Sequence, residues 1–106
     1  MHQFAYTAES WAAQIKNPQN RLETVGPELC KAAGGKMIGA WLCFGKYDGV
    51  LIADVPDMES MAAIALATYG GGAVKSAKTT LLMTGTQGIE ALKKAEKVAK
   101  QYKPAK

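Results

Sequence analysis

The sequence predicts an α+β fold, in which an antiparallel sheet carries helices on one face. Two strongly apolar runs flank a glycine-bracketed corner, Gly45 to Gly49, and this pattern is typical of a β-hairpin. Segments with helical spacing of apolar residues separate the other strand-like runs. A length of 106 residues, of which 48% are hydrophobic and 21% charged, suits a single globular domain with one core.

The first third of the chain is predicted to hold one strand and two helical segments. Gln3 to Thr7 forms a short strand, after which Thr7 caps a helix that ends before a turn at Asn17-Pro18. A second helix ends at Gly34-Gly35, because glycine accepts the left-handed backbone there. Its apolar face consists of Leu22, Val25, Leu29 and Ala33. Proline removes a backbone donor and crowds the preceding turn, so we expect a kink or a break into two short helices at Gly26-Pro27.

A hairpin and a third helix follow. The hairpin strands are predicted at Lys36 to Phe44 and Val50 to Val55, where apolar and β-branched residues dominate. Asp57 can cap the next helix, which ends at the glycine run 70–72. The residues expected on its buried side are Met58, Met61, Ala62, Ala65 and Leu66.

The end of the chain is predicted to form a last strand, Val74 to Met83, and a final amphipathic helix, Gly88 to Tyr102. The inward residues of that helix are expected to be Ile89, Leu92, Ala95, Ala99 and Tyr102. The domain then spans 1–103, with a frayed tail at 104–106. The last fourteen residues hold six lysines and one glutamate, against a net charge of +4 for the chain. We interpret these lysines as a solvated helix end and expect no nucleic-acid binding.

The element order βαββαβα is the split βαβ arrangement of ferredoxin-like folds. Strict alternation along the strand from Lys36 places Met37 with Trp41 on one face and Ile38 with Leu42 on the other. Both faces are therefore apolar, and helices would cover only one. Because burial of apolar area stabilises by about 25 cal/mol per Å², we expect a homodimer or a larger homo-oligomer.

Composition also restricts the compartment and the chemistry. No long uncharged apolar run is present, and the N-terminal residues do not resemble a signal peptide, so we expect a cytoplasmic protein without a membrane span. Cys30 and Cys43 are then reduced and are interpreted as core thiols. A single histidine, His2, excludes a multi-histidine metal site within one subunit and is interpreted as exposed or packed. No metal and no cofactor is predicted.

Several motifs, in this order and spacing, resemble those of the GYD domain family. They are Tyr6-Thr7-Ala8-Glu9, Pro18, Arg21, Gly34-Gly35-Lys36, Phe44-Gly45-Lys46-Tyr47-Asp48, Val55-Pro56-Asp57, the alanine-rich helix and Lys78-Thr79-Thr80-Leu81-Leu82. The resemblance implies a small bacterial or archaeal protein of the dimeric α/β-barrel type, with ferredoxin-like topology and probable self-association. It brings no agreed catalytic residues, and the family is largely uncharacterised. Lys46 stands where the family name implies glycine.

The corner residues Tyr47 and Asp48 could bind a ligand through a phenol and a carboxylate. We favour a role in organising the turn, because an aspartate side chain readily caps nearby amide groups.

Lysines and threonines lie along the last strand. Alternation pairs Lys75 with Thr79 on one face and Lys78 with Thr80 on the other. A buried lysine requires a carboxylate partner, or else its pKa falls and it becomes suited to proton transfer. We favour a structural ion pair, with Asp48 or Asp54 as the partner.

Two functions of different class remain open. The one we favour is a non-catalytic self-associating protein that holds a small apolar or aromatic ligand between sheet and helices. The residues expected to line this pocket or the interface are Phe4, Tyr6, Met37, Trp41 and Thr80.

The alternative is a cofactor-independent enzyme, similar to monooxygenases or isomerases of the dimeric α/β-barrel type. Such chemistry needs a dry pocket and one or two proton-transfer groups. The candidates are Tyr6, Tyr47, Asp48 and Lys78. A sheltered cavity in which a lysine or tyrosine contacts a carboxylate would favour the enzyme, and a lumen filled by packed side chains would favour the binding module.

Overall fold

The computed structural model describes residues 1–105 and has the predicted α+β architecture. Four strands form one antiparallel sheet in the order β2-β3-β1-β4, a topology compatible with a ferredoxin-like fold. The strands are β1 His2–Tyr6, β2 Lys36–Leu42, β3 Gly49–Asp54 and β4 Val74–Thr79. The helices are α1 Ala8–Lys16, α2 Arg21–Ala32, α3 Met58–Gly70 and α4 Gly85–Ala99. The predicted frayed tail, 104–106, includes Lys106, which lies outside the described residues.

Helix starts follow the predicted capping residues in α1 and α3. The Thr7 side chain accepts the Ser10 N–H at 3.1 Å, and Asp57 accepts the Ser60 N–H at 2.8 Å. The start of α4 differs from the prediction. Thr84 and Gln87 form a reciprocal capping box that begins the helix at Gly85. The last strand accordingly ends at Thr79 rather than at Met83.

The predicted break at Gly26-Pro27 is wrong, because α2 is continuous from Arg21 to Ala32. Gly26 is buried against β2, where a Cβ would lie 2.7 Å from Met37 Sδ. This close packing of helix on strand outweighs the one backbone hydrogen bond that Pro27 cannot make. Gly34 then has a φ of 84° and ends the helix as predicted.

Two β-bulges overturn the predicted faces of β2 and β4. In β2 the register shifts between Met37 and Gly39, so Met37 pairs with Ala53 and packs under the helices. Met37 and Trp41 therefore do not share a face, as strict alternation had predicted. Trp41 instead pairs with Val50 on the other side of the sheet.

The β-bulge in β4 means that Lys75 and Thr79 do not share a face, as alternation had predicted. Val74 pairs with Tyr6 and Ser76 with Ala5, which leaves Lys75 in the bulge. Thr79 pairs with His2 on the helix side. Lys78 pairs with Gln3 and lies on the opposite side, which we call the open face because no helix of residues 1–105 covers it.

The core lies between the sheet and the helices, and its buried residues are Phe4, Cys30, Leu51 and Ile64. Ile64 is the inward residue of α3, with Met61 beside it. The predicted inward positions Met58 and Leu66 are 80% and 69% exposed. Because α3 is apolar all round, apolar spacing alone does not indicate which face meets the sheet.

The final helix departs most from the prediction. Every residue of α4 except Gly88 is exposed, and Leu92, predicted to face inward, is 67% exposed. The chain measures 58 × 33 × 22 Å with a radius of gyration of 17.6 Å, whereas about 13 Å is typical of a compact chain of this length. The amphipathic pattern correctly predicts an apolar face, but no part of residues 1–105 buries this face. None of the helices in residues 1–105 is long and apolar enough to cross a membrane.

Candidate functional site

A cavity of about 650 Å³ lies on the helix side of the sheet, between β1 and helices α1, α2 and α3. Its floor is apolar and includes Phe4, Leu51 and Ile64. Its rim is polar and comes mainly from α1 and the turn into α2. The rim residues are Glu9, Ser10, Gln14, Asn17, Gln19 and Arg21. Small residues at the end of α3, among them Ala67 and Gly71, leave this space unfilled.

Strand β1 supplies an aromatic row along the cavity. Its period of two puts His2, Phe4 and Tyr6 on the helix side. The His2 and Phe4 rings stack with centroids 5.8 Å apart, and Phe4 meets Tyr6 edge to face at 5.4 Å. Tyr6 in turn meets the Trp11 ring of α1 edge to face at 5.2 Å. The cavity therefore offers aromatic faces to a bound molecule.

His2 is the most unusual polar group of the cavity wall, because it is only 3% exposed. Its Nδ1 lies 3.0 Å from Thr79 Oγ1, within hydrogen-bond distance. Its Nε2 is buried and has no hydrogen-bond partner among residues 1–105. Burial lowers the pKa of His2, and the positive charge of the N-terminal amine lowers it further. The imidazole is therefore neutral at neutral pH, with one nitrogen free to donate or accept a hydrogen bond.

Tyr6 and Arg21 bring a phenol and a cation to the same cavity. Burial raises the pKa of Tyr6, the nearby Arg21 charge opposes this effect, and Asp48 adds to it. The phenol is therefore protonated at neutral pH and can donate a hydrogen bond. The ion pair within residues 1–105 is Lys93 with Glu90, so Arg21 has no carboxylate within ion-pair distance.

Asp48 ties the glycine-bracketed corner to β1. Its Oδ2 accepts the Tyr6 backbone N–H at 2.9 Å and the Trp11 Nε1–H at 3.2 Å. Its own backbone N–H donates to the Phe4 carbonyl at 2.8 Å. The two bonds to Oδ2 hold the backbone of β1 against α1. The nearby Tyr47 uses its carbonyl to accept the Cys43 thiol at 3.2 Å, and does not line the cavity.

The structure divides the predicted site residues between the two sides of the sheet. Phe4 and Tyr6 line the cavity. Met37 lies in the core beside Gly26, while Trp41 and Lys78 lie on the open face.

The remaining predictions concern Lys78 and Thr80. Lys75 and Lys78 are both exposed, and within residues 1–105 neither Asp48 nor Asp54 lies within 4.0 Å of a basic group, so the predicted ion pair of a buried lysine is absent. The Thr80 N–H donates to the Met1 carbonyl at 2.7 Å, beyond the end of β4, and the cavity wall does not include Thr80.

The sequence analysis gave no site role to most of the cavity residues, among them His2 and Arg21. The alternation that places Phe4 and Tyr6 on one face extends back to His2, so the signal for this residue was present in the pattern. Arg21 had no such signal. The turn between α1 and α2 brings it to the cavity rim, and the sequence does not specify that geometry.

The metal-ligand chemistry of the site is limited. Within residues 1–105 no group of three or more histidine, cysteine, aspartate or glutamate side chains is arranged to hold a metal ion. Cys30 is fully buried, and burial raises the pKa of its thiol, which disfavours the reactive thiolate.

Comparison with known proteins agrees with the motif resemblance. The family model of the GYD domain matches residues 1–92. This stretch includes the whole sheet, helices α1 to α3 and the cavity, and it ends within α4. No curated protein and no solved structure matches the chain significantly. Because the family model matches most of the sequence, the chain belongs to the GYD domain family.

Proposed function

We propose that this protein binds a small, largely apolar or aromatic molecule in the helix-side cavity and self-associates through the open face of its sheet. The observation that carries the ligand proposal is the cavity itself. Its volume of about 650 Å³ lies within the range of roughly 300–1,000 Å³ found for small-molecule sites. An apolar floor with aromatic rings and a polar rim is the usual construction of such sites.

Arg21 defines the chemical class of the ligand more closely. It is a rim cation without an ion-pair partner in residues 1–105, and it lies near the Tyr6 phenol. A guanidinium binds carboxylates and related anions with two parallel hydrogen bonds. The ligand proposed is therefore an organic acid, whose anionic group binds Arg21 while its apolar or aromatic body lies against Phe4 and Leu51.

Two fluorescent dyes test the apolar cavity and the anion-binding role of Arg21 separately. Phenylnaphthylamine is neutral and reports an apolar cavity, whereas anilinonaphthalenesulfonate adds an anionic group. Both should bind to the unmodified protein. Arg21→Gln should weaken binding of the anionic dye by about tenfold, because it removes a charge-assisted interaction, and should leave the neutral dye unaffected. If Arg21→Gln weakens binding of both dyes equally, or of neither, Arg21 does not bind the anionic group.

A matched pair of substitutions on α3 tests the cavity as the dye site. Ala67 and Ala63 are both exposed, and only Ala67 lines the cavity. Ala67→Trp should fill the space and abolish binding of phenylnaphthylamine, whereas Ala63→Trp should leave it intact. If both variants bind the dye like the unmodified protein, the dye lies elsewhere and the cavity proposal fails.

The self-association part is supported by the composition of the open face. Trp41 lies against Gly39 and is 54% exposed, and its neighbours Val50 and Ile52 are only partly buried. An apolar patch on an uncovered face of a sheet is typical of a protein interface. The proposed compartment is the cytoplasm, where the free thiols of Cys30 and Cys43 stay reduced.

A second function, proton-transfer catalysis, is favoured by one specific observation. The buried Nε2 of His2 has no hydrogen-bond partner within residues 1–105, and His2 and the protonated Tyr6 phenol line the same cavity. A neutral imidazole and a phenol in one cavity wall are the types of base and acid that a cofactor-independent isomerase or oxygenase would use. The sequence analysis required an unfilled cavity and a contact between a lysine or tyrosine side chain and a carboxylate. The cavity is unfilled, but Asp48 contacts the backbone N–H of Tyr6 and not its hydroxyl.

The two functions differ in a simple exchange experiment. Phenylpyruvate is an aromatic acid with C–H bonds next to a carbonyl, and NMR follows their exchange in deuterated buffer. A proton-transfer enzyme should accelerate the exchange, and His2→Gln should slow it by about a hundredfold. A binding module should leave the rate at its buffer value, and this result would exclude the enzyme for this class of substrate.

A further inference from the structure

We infer that α4 of one copy packs antiparallel along the outer face of α3 in a second copy, and that two copies exchange α4 reciprocally. The outer face of α3 is defined by Met58, Ala62, Leu66 and Tyr69. The apolar face of α4 is defined by Ile89, Leu92, Ala95, Val98 and Ala99. This contact lies on the helix side of the sheet and is therefore separate from the open-face interface proposed above.

The outer face of α3 is an apolar surface that no other element of residues 1–105 buries. Its residues recur at spacings of four, four and three, on the side of the helix opposite the buried Ile64. Met58, Leu66 and Tyr69 are all exposed. A helix that is apolar on both sides is normally buried on both sides. The second side of α3 therefore requires another element.

Helix α4 also has an exposed apolar face. Ile89, Leu92 and Val98 are more than half exposed, and no residue of this helix is buried. An isolated helix of this length is only marginally stable in water, because most helix stability in proteins comes from packing of an apolar face. The polar side of α4 is rich in lysine, so water covers that side and the apolar side remains to be covered.

The distribution of charge favours α3 as the partner of α4 and an antiparallel orientation of the two helices. Helix α3 begins with Asp57 and Glu59 and contains no basic residue, whereas the end of α4 carries Lys97 and is followed by Lys100. Antiparallel packing places these lysines beside the acidic start of α3. It also opposes the two helix dipoles. The lengths match, since helices of 13 and 15 residues both extend about 20 Å at 1.5 Å per residue.

A second copy is the occupant that these features favour. Both unpartnered surfaces belong to the same chain, so a two-fold axis brings each α4 onto the other copy's α3 and forms the contact twice. Because the helix contact forms twice, two short helices can bury the roughly 800 Å² per partner that is typical of a standard interface. The elongated shape of the chain, 58 Å in its longest dimension, provides the projecting arm that such an exchange requires.

Sedimentation velocity on the full chain tests the contact. Leu92→Glu should raise the dissociation constant by about tenfold or more, because a buried leucine is replaced by a charge. Thr86→Glu adds the same charge on the polar side of α4 and should leave the constant unchanged. Both positions are exposed within one copy, so circular dichroism should show both variants folded. An unchanged dissociation constant for Leu92→Glu would overturn the inference.

Charge reversal tests the direction. Glu59→Lys and Lys100→Glu should each weaken association by about two- to fivefold, since exposed ion pairs contribute modestly, and the double variant should recover the unmodified constant. A double variant weaker than either single one would rule out antiparallel pairing. A monomeric chain in which hydrogen exchange shows α4 protected would place α4 on its own α3, and would equally overturn the exchange between copies.

Discussion

At the scale of single residues, His2 makes the stability of the fold depend on pH. Its pKa is lowered by burial and by the N-terminal charge, so the unfolded chain binds the proton more readily than the folded one. The contribution of neutral His2 is complete above its ordinary value of 6.5 and is lost as the pH falls below it. The Met1 amine, whose pKa is also lowered by burial, acts in the same direction below 8.0.

Urea unfolding therefore should show lower stability at about pH 5 than at about pH 7. His2→Gln keeps a polar side chain but has no proton to bind in this range, so it should flatten the pH dependence. Titration of the Met1 amine should persist in the variant at higher pH. Identical slopes between about pH 5 and pH 7 in the two proteins would show that His2 is not the group responsible.

Asp48 is the second residue whose role is specific. Asp48→Ala removes the acceptor of the Tyr6 N–H and the Trp11 indole N–H, and leaves two donors without a partner. The expected loss is about 1–3 kcal/mol in the free energy of unfolding. Asp54→Ala is the control, because Asp54 is exposed and accepts no side-chain hydrogen bond within residues 1–105. Equal losses from the two substitutions would contradict a special role for Asp48.

Much of the residue-level account could be predicted from the sequence. Phe4 and Tyr6 were expected to line a pocket and both line the cavity, and Thr7 and Asp57 were predicted as caps that the structure confirms. The side chains that arrive through a turn, such as Arg21, could not be predicted in the same way. Their positions depend on how α1 meets α2, and no periodic pattern encodes that geometry.

At the scale of elements, the β1–β3 pairing depends on a residue without a side chain. A Cβ at Gly49 would lie 2.4 Å from Cζ of Phe4, a buried aromatic ring that forms the cavity floor. Gly49→Ala should therefore displace Phe4 and reduce the free energy of unfolding by about 1–3 kcal/mol. Gly85→Ala introduces the same methyl group where nothing lies within 4 Å. Its effect on urea unfolding should be neutral or slightly stabilising, and a larger loss there than at Gly49 would contradict the packing argument.

The elements also show where a regular pattern misleads. The strands and their order were predicted, but the bulges near Ile38 and Lys75 each shift a register by one residue. A one-residue shift reverses every later side chain, so Trp41 lies on the open face while Met37, which precedes the bulge, lies in the core. In α3, apolar residues on all sides left the inward face undetermined, and only tertiary packing selected Ile64.

At the scale of the whole molecule, one chain leaves several apolar surfaces in water. Trp41→Glu should weaken self-association by more than tenfold in sedimentation experiments, because it places a charge in the open face. Thr86→Glu, on the polar side of α4, serves as a comparison that leaves both proposed interfaces intact. Trp41 is partly exposed within one copy, so its replacement should leave the single chain folded. A Trp41→Glu protein that associates like the unmodified one would show that the open face is not an interface.

The most direct test of the ligand cavity is to map a bound neutral molecule. Amide chemical-shift changes on titration with phenylnaphthylamine should concentrate in β1, at Phe4 and Tyr6, and along the cavity-facing side of α3 near Ala67. The open face around Trp41 and the exposed face of α4 should change little. Shifts confined to those two exposed surfaces, or no saturable shifts at all, would contradict the proposal that this protein binds a small molecule between its sheet and its helices.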